Sequence, residues 1–82
     1  MKCPVCGNNT FPDTNYEYEI CEECLWEYDP IQVDHPDYTG GANCHSLTEY
    51  KSIYQRLKEK VPGFSCKNEP DRKLIIALDH EV

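Results

Sequence analysis

Two cysteine pairs near the start of the chain have a spacing that is typical of metal sites. Each has the form C-x-x-C, at Cys3–Cys6 and at Cys21–Cys24, with 14 residues between the pairs. Zinc prefers four soft donors in a tetrahedron, with each sulfur about 2.3 Å from the ion. Gly7 follows the first pair and permits the positive φ that closes such a turn. The spacing therefore predicts one zinc ion per chain, bound by all four thiolates.

Other chemistry at these four cysteines is less favoured. A thioredoxin-type redox pair lies at the start of a helix within a βαβ unit, whereas Cys3 has no strand before it. Iron in a rubredoxin-like site would use the same ligands and stays open as an alternative. Disulfides are disfavoured because no secretion signal is visible, and we expect a cytoplasmic protein, whose thiols stay reduced.

The other two cysteines, Cys44 and Cys66, have no C-x-x-C partner and are expected to be small buried side chains. A reactive thiol, a disulfide between them and a second metal site are the alternatives. Cys44 precedes His45, but nothing in the sequence indicates the activated thiolate and oxyanion site that nucleophilic catalysis requires. We therefore expect no enzymatic activity.

Length and charge limit the function further. The chain has 82 residues and a net charge of −7, so we expect one domain, residues 1–82, stabilised by a metal. Residues 1–45 contain one cation and nine acids, a net charge of −8. Such a surface repels nucleic acid phosphates and favours a basic protein partner. The longest apolar run is far too short to span a membrane, so no membrane association is expected.

The periodicities predict a small metal-bound α+β fold. Residues 1–28 are expected to form a zinc ribbon with rubredoxin-like knuckles. Tyrosine and isoleucine alternate with glutamate over residues 16–20, which predicts a strand in a β-hairpin over residues 10–20. Prolines and glycines in residues 29–45 predict a long irregular loop.

One amphipathic helix is predicted over residues 46–61. Ser46 and Glu49 form a capping-box pattern, and apolar residues then recur at steps of three and four. Residues 62–82 are expected to form a loop and a short strand. The apolar run at residues 74–78 favours that strand, and a short buried helix starting at Pro70 is the alternative.

Several motifs together resemble the bacterial cysteine-rich CPCC family over about residues 1–60. They are Cys3-Pro4-Val5-Cys6-Gly7, Tyr18-Glu19-Ile20-Cys21, Cys24-Leu25-Trp26-Glu27, Asp37-Tyr38 followed by Gly40-Gly41-Ala42-Asn43, and Ser46-Leu47. The chain departs from the family at Val5, where the family has a third cysteine, and near Cys44, where it usually has glycine. The resemblance implies the four-cysteine site and a zinc-ribbon-like fold, and it implies no reaction.

The acidic–aromatic loop, residues 29–45, together with the aromatic residues just before it, is the segment most suited to binding a partner. Its candidate contact residues are Trp26, Tyr28, Asp34, Asp37 and Tyr38, since aromatic anchors are common interface hot spots. The structural alternative is that the tryptophan covers the metal site and that the glycines make a tight turn into the helix. The loop aspartates could also bind a hard cation, although their spacing matches no EF-hand.

Three function classes follow. We favour an acidic protein-interaction module, for instance an immunity protein or antitoxin that neutralises a basic toxin. A nucleic-acid-binding zinc ribbon is the alternative, for which only Lys51, Arg56, Lys58 and Lys60 offer cations on the helix. A small enzyme that uses Cys44 and His45 or the loop aspartates is the third.

Overall fold

Three helices and two short knuckles make up the fold of residues 1–79, the part of the chain that the computed structural model describes. The helices are α1 (Pro30–Asp34), α2 (Leu47–Lys60) and α3 (Glu69–Asp79). Within residues 1–79 the β pairing consists of two isolated antiparallel bridges, Lys2 with Asn9 and Ile20 with Glu27. Each bridge encloses one C-x-x-C pair. We call residues 2–9 the first knuckle and residues 20–27 the second knuckle.

The predicted hairpin over residues 10–20 is wrong. Asn15 and Tyr18 have φ values of 55° and 62°, which interrupt an extended strand. The backbone near Tyr18 instead pairs with residues that follow the second knuckle. The Tyr18 N–H donates to the Tyr28 carbonyl over 2.6 Å, and the Tyr28 N–H donates to the Glu19 carbonyl over 2.9 Å. The antiparallel backbone pairing of residues 18–20 therefore forms around the second cysteine pair and not between the two pairs.

The segment that was predicted to be irregular contains helix α1. Asp29 is its N-cap and accepts hydrogen bonds from the N–H groups of Ile31 and Gln32. Pro30 suits the first helical position, where no N–H donor is needed. The helix has five residues and ends before Pro36. It is too short to produce an apolar periodicity that a sequence pattern could reveal.

The amphipathic helix is confirmed as α2. The Ser46 hydroxyl accepts from the Glu49 N–H over 3.2 Å, and the Glu49 carboxylate accepts from the Ser46 N–H over 3.0 Å. Both hydrogen bonds of the capping box are thus present. The buried stripe of the helix consists of Leu47, Tyr50, Ile53, Tyr54 and Leu57.

The predicted C-terminal strand is wrong, because residues 74–78 lie in helix α3. This helix packs against α2, and its residue Ile75 is fully buried in the core cluster. Leu74, Ile76 and Leu78 remain partly exposed. A five-residue apolar run is compatible with a strand or with a helix. Here the segment is helical and belongs to the helix that packs against α2. Residues 80–82 of the predicted C-terminal segment lie outside the described residues.

The core joins both knuckles to the helices. Trp26 of the second knuckle packs on Tyr50 of α2, with ring centroids 5.3 Å apart, and Tyr54 packs edge-on against Phe64 at 5.9 Å. Cys3, Cys21 and Cys24 are buried in the same cluster. Three cysteines of the two pairs therefore lie inside the core, and Cys6 is partly buried against it. No helix within residues 1–79 has the length and apolar character needed to cross a membrane.

Candidate metal centre

Four cysteines meet where the two knuckles face each other. The sulfurs of Cys3, Cys6, Cys21 and Cys24 all lie within 4.8 Å of one another. Cys3 Sγ lies 3.6 Å from Cys24 Sγ, and Cys6 Sγ lies 3.6 Å from Cys21 Sγ. A tetrahedron with metal–sulfur bonds of 2.3 Å has edges of about 3.8 Å. The arrangement fits one metal ion, and no disulfide joins any of these cysteines.

The two knuckles use the same backbone geometry. In the first, the Gly7 N–H donates to the Cys3 carbonyl over 2.9 Å, and Gly7 has the expected positive φ of 76°. In the second, the Leu25 N–H donates to the Cys21 carbonyl over 2.7 Å. Leu25 has a φ of 66°, a left-handed conformation that costs a residue with a Cβ about 1–2 kcal/mol. The packing of the partly buried Leu25 side chain against the core offsets this strain.

Proximity makes the four thiols ionise unequally when no metal is bound. Hydrogen bonds from Cys24, Cys3 and Cys6 hold the pKa of Cys21 well below its usual range. The hydrogen bond with Cys21, followed by those with Cys3 and Cys6 and by burial, raises the pKa of Cys24. Metal ligation requires deprotonated sulfurs, so a cation that binds all four cysteines would displace the proton that Cys24 retains.

Further groups hold the ligands in place from outside the cluster. The Val5 N–H donates to Cys3 Sγ over 3.4 Å, and the Tyr50 hydroxyl donates to the Cys24 carbonyl over 2.5 Å. Thr10 Oγ1 lies 2.9 Å from Cys21 Sγ. Sequence reasoning missed Thr10, because its contact crosses from one knuckle to the other and leaves no local pattern.

The remaining cysteines differ from each other. Cys66 is buried as expected, and burial, together with the nearby Cys21 and Glu23, raises the pKa of its thiol to about 12. Cys44 is exposed, which corrects the expectation of a buried side chain. His45 is partly buried, and its carbonyl accepts a hydrogen bond from the Gln32 side chain.

A buried polar network holds the acidic–aromatic loop against the second knuckle. Gln32 is 0% exposed, and its amide nitrogen donates to the carbonyls of Tyr38, Asn43 and His45. Its amide oxygen accepts from the backbone and side-chain nitrogens of Asn43. Asn43 in turn exchanges two hydrogen bonds with the Glu27 backbone, at 3.0 and 2.8 Å. The loop is therefore tied to the segment that follows Cys24.

The tight turn at residues 40–43 is shaped by this network. The Ala42 N–H donates to the Asp29 carboxylate over 2.9 Å, which brings Gly41 against Asp29 and Gln32. A Cβ at Gly41 would lie 2.7 Å from the Gln32 side-chain carbons and would collide with the Asp29 carboxylate. The motif Gly40-Gly41-Ala42-Asn43 thus makes a tight turn, as the structural alternative expected.

The five candidate contact residues lie in different environments. Trp26 is 0% exposed in the core, so it cannot contact a partner. Tyr28 is partly buried and packs edge-on against Phe11 and Tyr16. Asp34 and Asp37 are exposed, and Tyr38 is 45% exposed. The loop aspartates do not form a cation site, and Asp29 is buried as a helix cap. Within residues 1–79, the four cysteines are the one potential metal cluster.

Comparisons with known proteins identify the family of the chain. None of the curated proteins compared with the chain matches it. The family model described as "Cysteine-rich CPCC" matches residues 1–63, a range that includes all four clustered cysteines, the polar loop network and helix α2. The chain belongs to the cysteine-rich CPCC family.

Proposed function

We propose that this chain is a zinc-stabilised, acidic protein-interaction module. The observation that carries the metal part of the proposal is the four-cysteine cluster, of which Cys3, Cys21 and Cys24 are buried in the core. Four protein ligands leave no open position on a tetrahedral ion for water or substrate, which is the arrangement of structural zinc sites. The metal's proposed role is to hold the two knuckles and the helices together.

Zinc is the proposed ion because it is redox-inert and tetrathiolate coordination suits it. Iron would use the same four sulfurs. Elemental analysis of the purified chain separates the two, and an iron site would also be coloured. The proposal requires one zinc per chain.

The proposed binding surface is smaller than the sequence indicated and consists of Asp34, Asp37 and Tyr38. We call it the acidic loop surface. All three residues are exposed, while the backbone that carries them is fixed by the buried Gln32 network. The Tyr38 ring lies against Gly40, where a Cβ would be only 2.5 Å from its hydroxyl. A half-exposed tyrosine on a fixed backbone is a suitable interface anchor because its ring offers a large contact area.

The proposed partner is a basic protein. Residues 1–45 have a net charge of −8, and four zinc-bound thiolates with one Zn²⁺ add −2 to this half. Such a charge steers a cationic partner toward the surface and accelerates association. An immunity protein or antitoxin that neutralises a basic toxin is one concrete form of this role. The proposal assigns no catalytic step to any residue.

The test begins with capture of the partner on tagged, zinc-loaded chain, followed by binding kinetics with the purified partner. Reversal of both loop charges, Asp34→Lys with Asp37→Lys, should lower the association rate and leave zinc content unchanged. The control is Glu59→Lys with Glu69→Lys, which changes net charge equally at exposed positions near the end of α2 and at the start of α3. At physiological salt, charges more than about 8 Å from the partner are largely screened, so the control should have the smaller effect.

Tyr38→Ala supplies a second readout at the same surface. Loss of a buried aromatic anchor should raise the dissociation rate, with little change in association. Equal effects of the loop reversal and its control would contradict the acidic loop surface. Recovery of RNA or DNA, with binding that depends on Lys51, Arg56 and Lys58, would favour the nucleic-acid-binding alternative; these three side chains are exposed on α2.

A further inference from the structure

The side-chain oxygen of Thr10 lies within hydrogen-bond distance of a clustered sulfur. Its Oγ1 is 2.9 Å from Cys21 Sγ, while Thr10 itself directly follows the first knuckle. The Thr10 N–H donates to the Asn8 carbonyl over 2.9 Å, and the Cys3 N–H donates to that same carbonyl over 2.9 Å. The hydroxyl is thus positioned by the backbone that closes the first knuckle, and it points at a sulfur of the second.

The direction of this hydrogen bond follows from the state of the sulfur. A metal-bound cysteine is a thiolate and carries no proton, so the threonine hydroxyl must be the donor. Hydrogen bonds to an ionised acceptor are roughly twice as strong as those between neutral groups. Four thiolates and one divalent cation leave a net charge of −2, and Cys21 is fully buried. A donor aimed at this sulfur offsets charge that water cannot reach.

We propose that Thr10 donates a hydrogen bond to the metal-bound sulfur of Cys21, and that this bond sets how tightly the centre holds its metal. The inference rests on the metal centre of the proposed function. Groups that hydrogen-bond to metal ligands orient them, and their loss typically lowers metal affinity 10- to 100-fold. Because Thr10 directly follows the first knuckle and Cys21 belongs to the second, the bond also joins the two halves of the site.

The test compares Thr10→Val with the parent chain and two controls. Valine keeps the β-branched shape and removes the hydroxyl. Thr10→Ser keeps the hydroxyl, and Thr14→Val makes the same change at an exposed position. Competition against a chromophoric chelator should give about 10- to 100-fold weaker zinc binding for Thr10→Val. The two controls should remain within about threefold of the parent, since neither removes the donor.

Cobalt(II) substitution gives an independent spectroscopic readout. Loss of a donor to sulfur raises the energy of the sulfur lone pairs, so the sulfur-to-cobalt charge-transfer band of Thr10→Val should move to longer wavelength. Thr10→Ser and Thr14→Val should keep the band of the parent. A stability loss unrelated to the sulfur would weaken binding without moving the band.

A measurement on the unmodified chain covers the case in which Thr10→Val does not fold. In the ¹¹³Cd-loaded parent, the Thr10 hydroxyl proton should exchange slowly with water and show scalar coupling to the metal. Parent-like affinity and band position in Thr10→Val, or an uncoupled and rapidly exchanging hydroxyl proton, would overturn the Thr10 proposal alone. A parent chain that binds neither zinc nor cobalt would instead overturn the metal centre, and the role of Thr10 with it.

Discussion

Gly41 shows how a single residue controls the shape of the acidic loop. Its backbone lies against Asp29 and Gln32, two buried side chains that are fixed by hydrogen bonds to the loop. A methyl group at Gly41 has no space unless this network moves, because a Cβ would lie 2.7 Å from Gln32 carbons. Gly40 also lacks space for a side chain, but its neighbour is the half-exposed Tyr38 ring, which can rotate away.

Gly41→Ala is therefore expected to destabilise the fold, whereas Gly40→Ala should be tolerated better. Overpacking a well-packed site typically costs about 1–3 kcal/mol. Urea unfolding of the zinc-loaded proteins measures both costs, with Gly40→Ala as the matched control. Gly40→Ala should instead shift the Tyr38 ring and its signals in NMR spectra. Equal stability of the two variants would mean that the Gln32 network is not rigid.

The two cysteines outside the cluster should differ in reactivity. The thiolate is the nucleophile, and burial, with nearby Cys21 and Glu23, raises the pKa of Cys66 to about 12. At pH 8 its thiol is thus almost entirely protonated as well as shielded, and its reactivity should rise only as the pH approaches 12. Cys44 is exposed.

Iodoacetamide at pH 8 should therefore label Cys44 well before Cys66 in the zinc-loaded chain. Mass spectrometry of the digested protein measures both rates in one sample. Unfolding with guanidinium and a chelator should bring the two rates together and serves as the control. Faster labelling of Cys66 in the folded chain would contradict the burial that we describe.

At the scale of elements, the second knuckle anchors the segment that leads into α3. The Cys66 N–H donates to the Glu23 carbonyl over 3.0 Å, and the Ser65 hydroxyl donates to the Glu23 carboxylate over 3.0 Å. Lys67 Nζ lies 3.5 Å from the same carboxylate. Glu23 lies between Cys21 and Cys24, so the metal centre and the approach to α3 share one short stretch of backbone.

Glu23→Ala should loosen this segment without loss of zinc. The backbone bond to Cys66 remains, but the side-chain hydrogen bond, worth about 1 kcal/mol, is lost. Amide hydrogen exchange over residues 66–75 should become roughly fivefold faster. Glu22→Ala is the matched control, because Glu22 is exposed and forms only an ion pair with Lys67. Equal exchange in the two variants would show that the Glu23 side chain does not hold α3.

Sequence patterns succeeded where two independent signals agreed. For α2, the capping box and the apolar stripe both indicate a helix with the same start. For the cysteines, residue type and spacing both indicate one site. The Tyr–Glu alternation was a single signal, and it failed because Tyr18 adopts a positive φ to pair with residues after the second knuckle.

The remaining differences come from tertiary contacts that no local pattern contains. Residues 74–78 lie in helix α3, which packs against α2, and Ile75 is buried in the core. Trp26 was a candidate contact residue because it lies in an acidic segment, but its side chain is buried in the core beside Tyr50. Gln32 was not considered, since a buried glutamine gains its partners only when the loop closes around it.

At the scale of the whole molecule, the cysteine cluster is the point at which the separate parts of the fold meet. Cys3, Cys21 and Cys24 share one buried cluster with residues of α2 and α3. An 82-residue chain buries a limited apolar core, and small domains commonly need a metal to complete their stability. Metal binding and folding should therefore be a single coupled process.

Substitution of single cysteines should show which of them bind the metal. Cys21→Ser should lose both zinc and the fold, because it removes a ligand that is fully buried. Cys44→Ser is the matched control and should keep full zinc content. Loss of zinc from Cys44→Ser would mean that the ligand set is wrong.

The most direct test is thermal unfolding of one sample before and after zinc removal, with metal content measured by elemental analysis. We predict one zinc per chain and a cooperative unfolding transition in the metal-loaded protein. Chelation should abolish that transition, and added zinc should restore it, because zinc affinity in such a site is folding free energy. A metal-free chain that keeps the same cooperative transition would contradict the structural role of the metal.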